Sequence, residues 1–161
     1  MSEILGALFK NLIQLIGVAA VAGILYLVFG SSKTSDAISD MHSLATETQG
    51  LFYGQQAFTV TNAVAITAKL APERMINAAR TGLVNQWSGA ITIKANTDTS
   101  KFDITTTKVP NDSCAKMAAN TPSMVGLSIN AQAQTLPVDA GTVAGKCNVT
   151  DNNTLIFTFG H

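Results

Sequence analysis

Charge is scarce in this chain and evenly split. Of 161 residues ten are Lys or Arg and ten are Asp or Glu, so neither sign builds the field that holds nucleic acid or an anionic lipid surface. No direct nucleic-acid binding is expected. Histidine occurs only at His42 and His161, and neither stands in a pattern that would activate a Ser, Cys or Asp nucleophile, so no catalytic residue and no enzymatic activity are expected. The two cysteines, Cys114 and Cys147, lack CxxC spacing and clustered histidines, which argues against a zinc site; no metal and no cofactor is expected. Proline is missing until Pro72, so no helix breaker of that kind interrupts the first part of the chain.

What is there begins with an apolar run. From Leu12 to Gly30 nineteen residues include Gln14 as the sole strongly polar member, enough for about 29 Å of helix, the thickness of a hydrocarbon core. Glu3 and Lys10 give a balanced front, unlike the basic front of a secretory signal, and the run is long for a signal peptide's apolar region. After the short break Gly30, Ser31, Ser32, apolar positions return at three- and four-residue spacing: Ile38, Met41, Leu44 or Ala45, Thr48, and Leu51 or Phe52. Asp36, Asp40, His42 and Glu47 are expected on the other, polar face. The pattern predicts one helix of about fifty residues, apolar nearly all round in its first half and striped over about residues 33–53. The expected organisation is a hydrophobic half-helix, 1–30, followed by a globular head, 31–161. An ordinary tether carries a flexible Gly/Ser/Pro linker at the membrane surface; this helix reads as a strut that lies on its head domain.

The remainder predicts an α+β head. "TVTNAVAITAKL" (59–70) reads as a short second helix ending before Pro72, and "APERMINAARTGLVNQ" as a connector. "AITIKA" (90–95), "KFDITTTKV" (101–109) and "NTLIFTFG" (153–160) alternate like antiparallel strands of a three- or four-stranded sheet. "NDSCAKMAANT" reads as a short helix capped by Asp112 or Ser113. The Gln/Ala/Thr-rich stretch from Leu127 to Cys147 carries no regular pattern. Trp87, beside Gly89 and just ahead of a strand, reads as closing the edge of a core and not as a binding platform. The Thr/Asn/Ser-rich setting of Cys114 and Cys147 is that of an exported surface domain, with two reduced core thiols as the other reading.

The long N-terminal helix, "LVNQWSGAITI" with its Trp-x-Gly entry into a strand, "VPNDSCAKMA" with a cysteine on a short helix, and a second cysteine shortly before a terminal "LIFTF" strand resemble the type IVb major pilins, most closely the PilS-like pilins of thin conjugative pili. The resemblance covers essentially the whole chain through the order of loose motifs. It implies the type IV pilin fold: a long N-terminal α-helix packed on a small antiparallel β-sheet head with a C-terminal disulfide loop. It also implies a structural subunit that polymerises through its hydrophobic helix, serving cell-cell contact, adhesion or conjugative DNA transfer. The alternatives sharing strut and head are a minor pilin, a type II secretion pseudopilin, or a membrane-tethered periplasmic binding module.

Further expectations come with the resemblance. Partners are copies of the same chain in a helical filament, the pilus assembly machinery and prepilin peptidase, a minor pilin or tip adhesin, and the inner membrane of a Gram-negative bacterium before assembly into an extracellular pilus. The family's glutamate at position five of the mature chain is replaced by Leu5, with Glu3 the nearest acid. Either Glu3 takes over its role or the mature numbering does not start here; a mature start at Met1 makes that residue the N-methylated one. Cys114 and Cys147 are expected to pair. Gly17 and Gly23 are expected to serve close helix packing or a local unwinding. Glu3 is expected to neutralise the Met1 amine or Lys10 of a neighbouring subunit, because Glu3 and Lys10 of one helix lie about 10.5 Å apart along the axis.

Overall fold

A computed structural model describes residues 32–160. Met1, Glu3, Lys10, Gly17, Gly23 and the apolar run from Leu12 to Gly30 lie outside the described residues, as does His161. Among the described residues no helix is long and apolar enough to cross a membrane.

Residues 32–51 are helical (α1). Ala37, Met41, Leu44, Ala45, Thr48 and Phe52 are buried at the expected three- and four-residue spacing, so the stripe is the contact face of the helix with the sheet. Two details differ from expectation. Leu51 is 45% exposed, Phe52 taking the inward place. Asp40, expected on the polar face, is buried at 3% because the connector packs beside the helix and covers it.

After α1 the chain forms α2 (Asn62–Thr67), whose N-cap Thr61 accepts a hydrogen bond from the Val64 amide. The connector that follows is not featureless: Glu73–Met75 is a 3-10 turn and Leu83–Val84 is a two-residue strand, β1. Then come β2 (Ala90–Ala95) and β3 (Lys101–Val109), α3 (Asn111–Asn120), β4 (Gly126–Ile129), β5 (Gln132–Gln134), α4 (Ala140–Lys146) and β6 (Asn153–Gly160). The sheet therefore has six strands, not three or four, in the order β1-β2-β3-β6-β4-β5, all antiparallel neighbours. Alternation sends Ile91 and Ile93, Phe102 and Ile104, and Leu155, Phe157 and Phe159 to one face, where α1 closes the core. Phe52, Phe58, Phe102 and Phe159 make a continuous aromatic row with ring centroids 5.5, 4.7 and 5.6 Å apart.

Side chains of asparagine finish what the short edge strand leaves open. Asn62 donates to the Ile91 carbonyl at 2.9 Å and accepts from the Ile93 amide at 2.7 Å, extending the edge of β2 beyond β1. Asn85 accepts from the amides of Trp87 and Gly89 and donates to the Thr107 carbonyl where β3 bulges, Lys108 taking a φ of 55°. Gly89 is required there: a Cβ would lie 1.9 Å from the Thr107 carbonyl oxygen. Trp87 is partly buried against the core, as its place before β2 suggested.

Candidate functional site

The sequence points to two regions on the head, the α1 strut and the cysteine-bounded segment. The second closes as expected: Cys114 on α3 and Cys147 at the C-cap of α4 form a disulfide, with Cα atoms 5.9 Å apart and both residues buried. Between them the stretch that reads as irregular contains β4, β5 and α4. The hairpin turns at Asn130 and Ala131, both left-handed with φ of 49° and 65°, and Asp139 caps α4 by accepting from the Thr142 amide at 2.7 Å. That amide, with the Thr142 hydroxyl, holds the Asp139 carboxyl below its ordinary pKa. The α3 cap is neither Asp112 nor Ser113 but Pro110, which makes no side-chain cap; Ser113 is instead buried, 2.8 Å from the Thr34 hydroxyl of α1.

One buried side chain ties this region to the sheet. Asn153, fully buried at the start of β6, donates to the carbonyls of Val109 (3.0 Å) and Val149 (2.8 Å). Its oxygen accepts from Asn130 Nδ2 (2.9 Å) and from the Val149 amide (3.1 Å). Asn130 in turn bonds the Lys146 carbonyl and the Thr154 amide. The hairpin turn, the end of α4, the loop after the disulfide and two central strands thus meet on two amides. Between the end of α3 and residues 136–138 lies an open groove of about 540 Å³ lined by Met124, Leu136, Pro137 and Val138 with Thr121 and Ser123.

The strut is fixed by charge as well as by its apolar stripe. Arg74 of the 3-10 turn reaches the buried Asp40 carboxylate, Gln86 holds its second oxygen, and Asp36 flanks the guanidinium at 3.9 Å. The hydrogen bond and charge of Asp40 push the Arg74 pKa further up. Farther along, Gln49 donates to the Gly160 carbonyl at the end of β6. The helix then runs out at a turn that leaves Tyr53 87% exposed, with Leu51 beside it. Among the described residues no three His, Cys, Asp or Glu side chains gather as a metal site, and His42 is exposed on α1.

The head, a strut helix on an antiparallel sheet with a disulfide-closed region, coincides with the part of the chain that a family model matches: the PilS N terminal family matches residues 31–160. The chain belongs to this family and is a type IVb pilin. The crystal structure of type IVb pilin from Salmonella typhi is similar with a TM-score of 0.65 and 26% identity, covering 79% of this chain and 99% of that one. The NMR structure of PilS from Salmonella typhi gives 0.54 and 25%, covering 80% and 96%. TcpA, a type IV pilin from Vibrio cholerae El Tor, shares the fold alone, at 0.54 and 11%, covering 79% and 98%. No curated protein sequence matches the chain. The family and fold are those of structural proteins.

Several residues of this pilin head escaped the sequence reading. Asp40 carried a usable signal, since it immediately precedes Met41 and follows Ala37 by three, inside the buried stripe. Asn153 and Asn130 carried none: an asparagine at a strand start or turn is ordinary, and their mutual contact spans 23 positions.

Proposed function

We infer that this pilin is a structural subunit of a helical type IVb filament, its apolar N-terminal half-helices bundled at the centre and its heads tiling the outside. The observation that carries the reading is one of continuity. The family likeness begins at residue 31, directly after the apolar run that ends at Gly30, so a head of known class is preceded by a sequence that as a helix would have no polar face to keep in water. Such a rod is at home in a bilayer or against its own copies. The inner membrane before assembly and the extracellular fibre afterwards are these two environments, with a prepilin peptidase and the assembly machinery acting between them.

Within the bundle Glu3 pairs with the Met1 amine or with Lys10 of a neighbouring subunit, which removes a desolvation penalty on the order of several kcal/mol and fixes axial register. Gly17 and Gly23 serve close approach of helices or a local unwinding. Cell-cell contact, adhesion or conjugative transfer is the use such a fibre serves. Immunogold electron microscopy of shed surface material tests the reading: the chain is expected along the length of thin fibres. A chain recovered only as a dispersed membrane protein, with no fibre containing it, overturns it.

A further inference from the structure

The filament reading requires that each head touch another through two different surfaces, because a contact between identical patches closes into a dimer whereas a head-to-tail contact propagates. The head carries such a pair. One member is a knob. Tyr53 is the most exposed of the large apolar side chains among the described residues, at 87% against 41–51% for Leu51, Val125 and Val149. It stands at the end of α1 between Gly50 and Gly54, each with open space where a Cβ would be. Its hydroxyl has no hydrogen bond within the described chain. A tyrosine held out in this way, with only two side-chain torsions to immobilise, is the residue type that dominates protein interfaces.

The other member is the groove of about 540 Å³ beside α3. Its walls are the half-buried side chains of Met124, Leu136 and Val138, which offer a thioether and aliphatic carbon to an aromatic ring. At its rim Ser123 has a hydroxyl with no hydrogen-bond partner in the described chain, a match for a phenol. The flanking charges are of opposite sign. Glu47 precedes Leu51 by four residues and so shares its exposed helix face, while Lys116 precedes the groove residue Ala119 by three on α3. Neither Glu47 nor Lys116 has an ion-pair partner among the described residues.

We propose that Tyr53 of one copy seats in the Met124/Leu136/Val138 groove of a second copy, with Glu47 facing Lys116 across the rim. The occupant is a second copy of this chain because the exposed aromatic side chain and the apolar groove, the unpaired hydroxyls and the opposite charges are all carried by one sequence. The proposal rests on the filament reading above and adds the contact between heads.

The test uses the full chain in cells that assemble it. Tyr53→Cys and Ser123→Cys are placed on separate, co-expressed copies, and isolated filaments are oxidised and resolved without reductant. A dimer that requires both variants, mapped by mass spectrometry to positions 53 and 123, is expected; both changes on one copy should give a ladder of multimers. Filaments that assemble yet yield no such link overturn the proposal, as does a link confined within one copy or occupation of the groove by a different chain. Fibre formation by the unaltered chain is scored separately, so failure of the polymer reading is distinguishable from failure of this contact. Tyr53→Ala should lower fibre yield by at least about tenfold while Tyr53→Phe keeps most of it. Glu47→Lys and Lys116→Glu should each reduce yield and restore it when combined; equal yields from all three overturn the charge pairing.

Discussion

Arg74 grips Asp40 twice at a single oxygen, Nη2 at 2.6 Å and Nε at 2.7 Å from Oδ1, while Gln86 donates to Oδ2 at 3.0 Å. The carboxylate is nearly dry and the guanidinium half-exposed. The two partners should therefore respond unequally to substitution. Arg74→Met strands a charge beneath the connector, whereas Asp40→Asn keeps an acceptor for Arg74 and removes the charge that needed compensation. Thermal unfolding of the head should rank Arg74→Met as the more destabilising, and Arg74→Met with Asp40→Leu should recover part of the loss. Additive effects of the two substitutions would exclude this coupling.

Asn153 is satisfied on every side, and its loss removes at once the hydrogen bonds to the Val109 carbonyl, to the Val149 amide and carbonyl, and from Asn130. Asn153→Ala should cost about 2–4 kcal/mol in urea unfolding. Asn153→Asp should be worse at neutral pH, since it replaces two donated hydrogen bonds with a buried negative charge facing the Val109 and Val149 carbonyls.

The disulfide spans 33 positions of sequence, a loop whose closure contributes about 3–4 kcal/mol by the chain-entropy estimate. Replacing Cys114 and Cys147 together by Ala should lower stability by about that amount. Because both sulfur-bearing residues are buried, mild reductant without denaturant should leave the native bond intact; rapid alkylation of both thiols under those conditions would contradict the burial described.

Acid should act on Asp98. Lys101 and the Ser100 hydroxyl and amide hold its carboxyl at a pKa of about 2, against an ordinary value near 3.8. A depressed carboxyl pKa means the folded state favours the ionised form, so this contribution is present above the ordinary value and is lost as pH falls through about 2. Asp139, lowered by its cap bonds to Thr142, has the same sign. NMR titration should place Asp98 below a free aspartate, and Lys101→Ala should move it upward; no movement would remove Lys101 as the principal cause.

The strands at 90–95, 101–109 and 153–160 were legible because alternating β-branched and aromatic residues need no context beyond their own face of the sheet. β4 and β5 were not. "GLSI" and "QAQ" are too short for periodicity, and their hairpin turns on Asn130-Ala131 where a glycine would have signalled it. Asp40 was misplaced for a related reason: periodicity shows which face of α1 meets the sheet, but not that the connector buries the neighbouring strip. The paired cysteines followed from resemblance. The knob at Tyr53 and its groove are surface facts, invisible to patterns of burial.

The strand order has a consequence for how a head comes into being. β6, last in sequence, lies between β3 and β4, so both of these strands are synthesised before the neighbour they share exists. A ribosome releasing this chain vectorially delivers β4 and β5 before the strand that joins them to β1-β2-β3, and closure waits for the final eight-residue strand. A head that has lost that strand keeps β1-β2-β3 and the β4-β5 hairpin as two pieces with no strand between them, so the two halves of the sheet depend on the C-terminal strand for their connection.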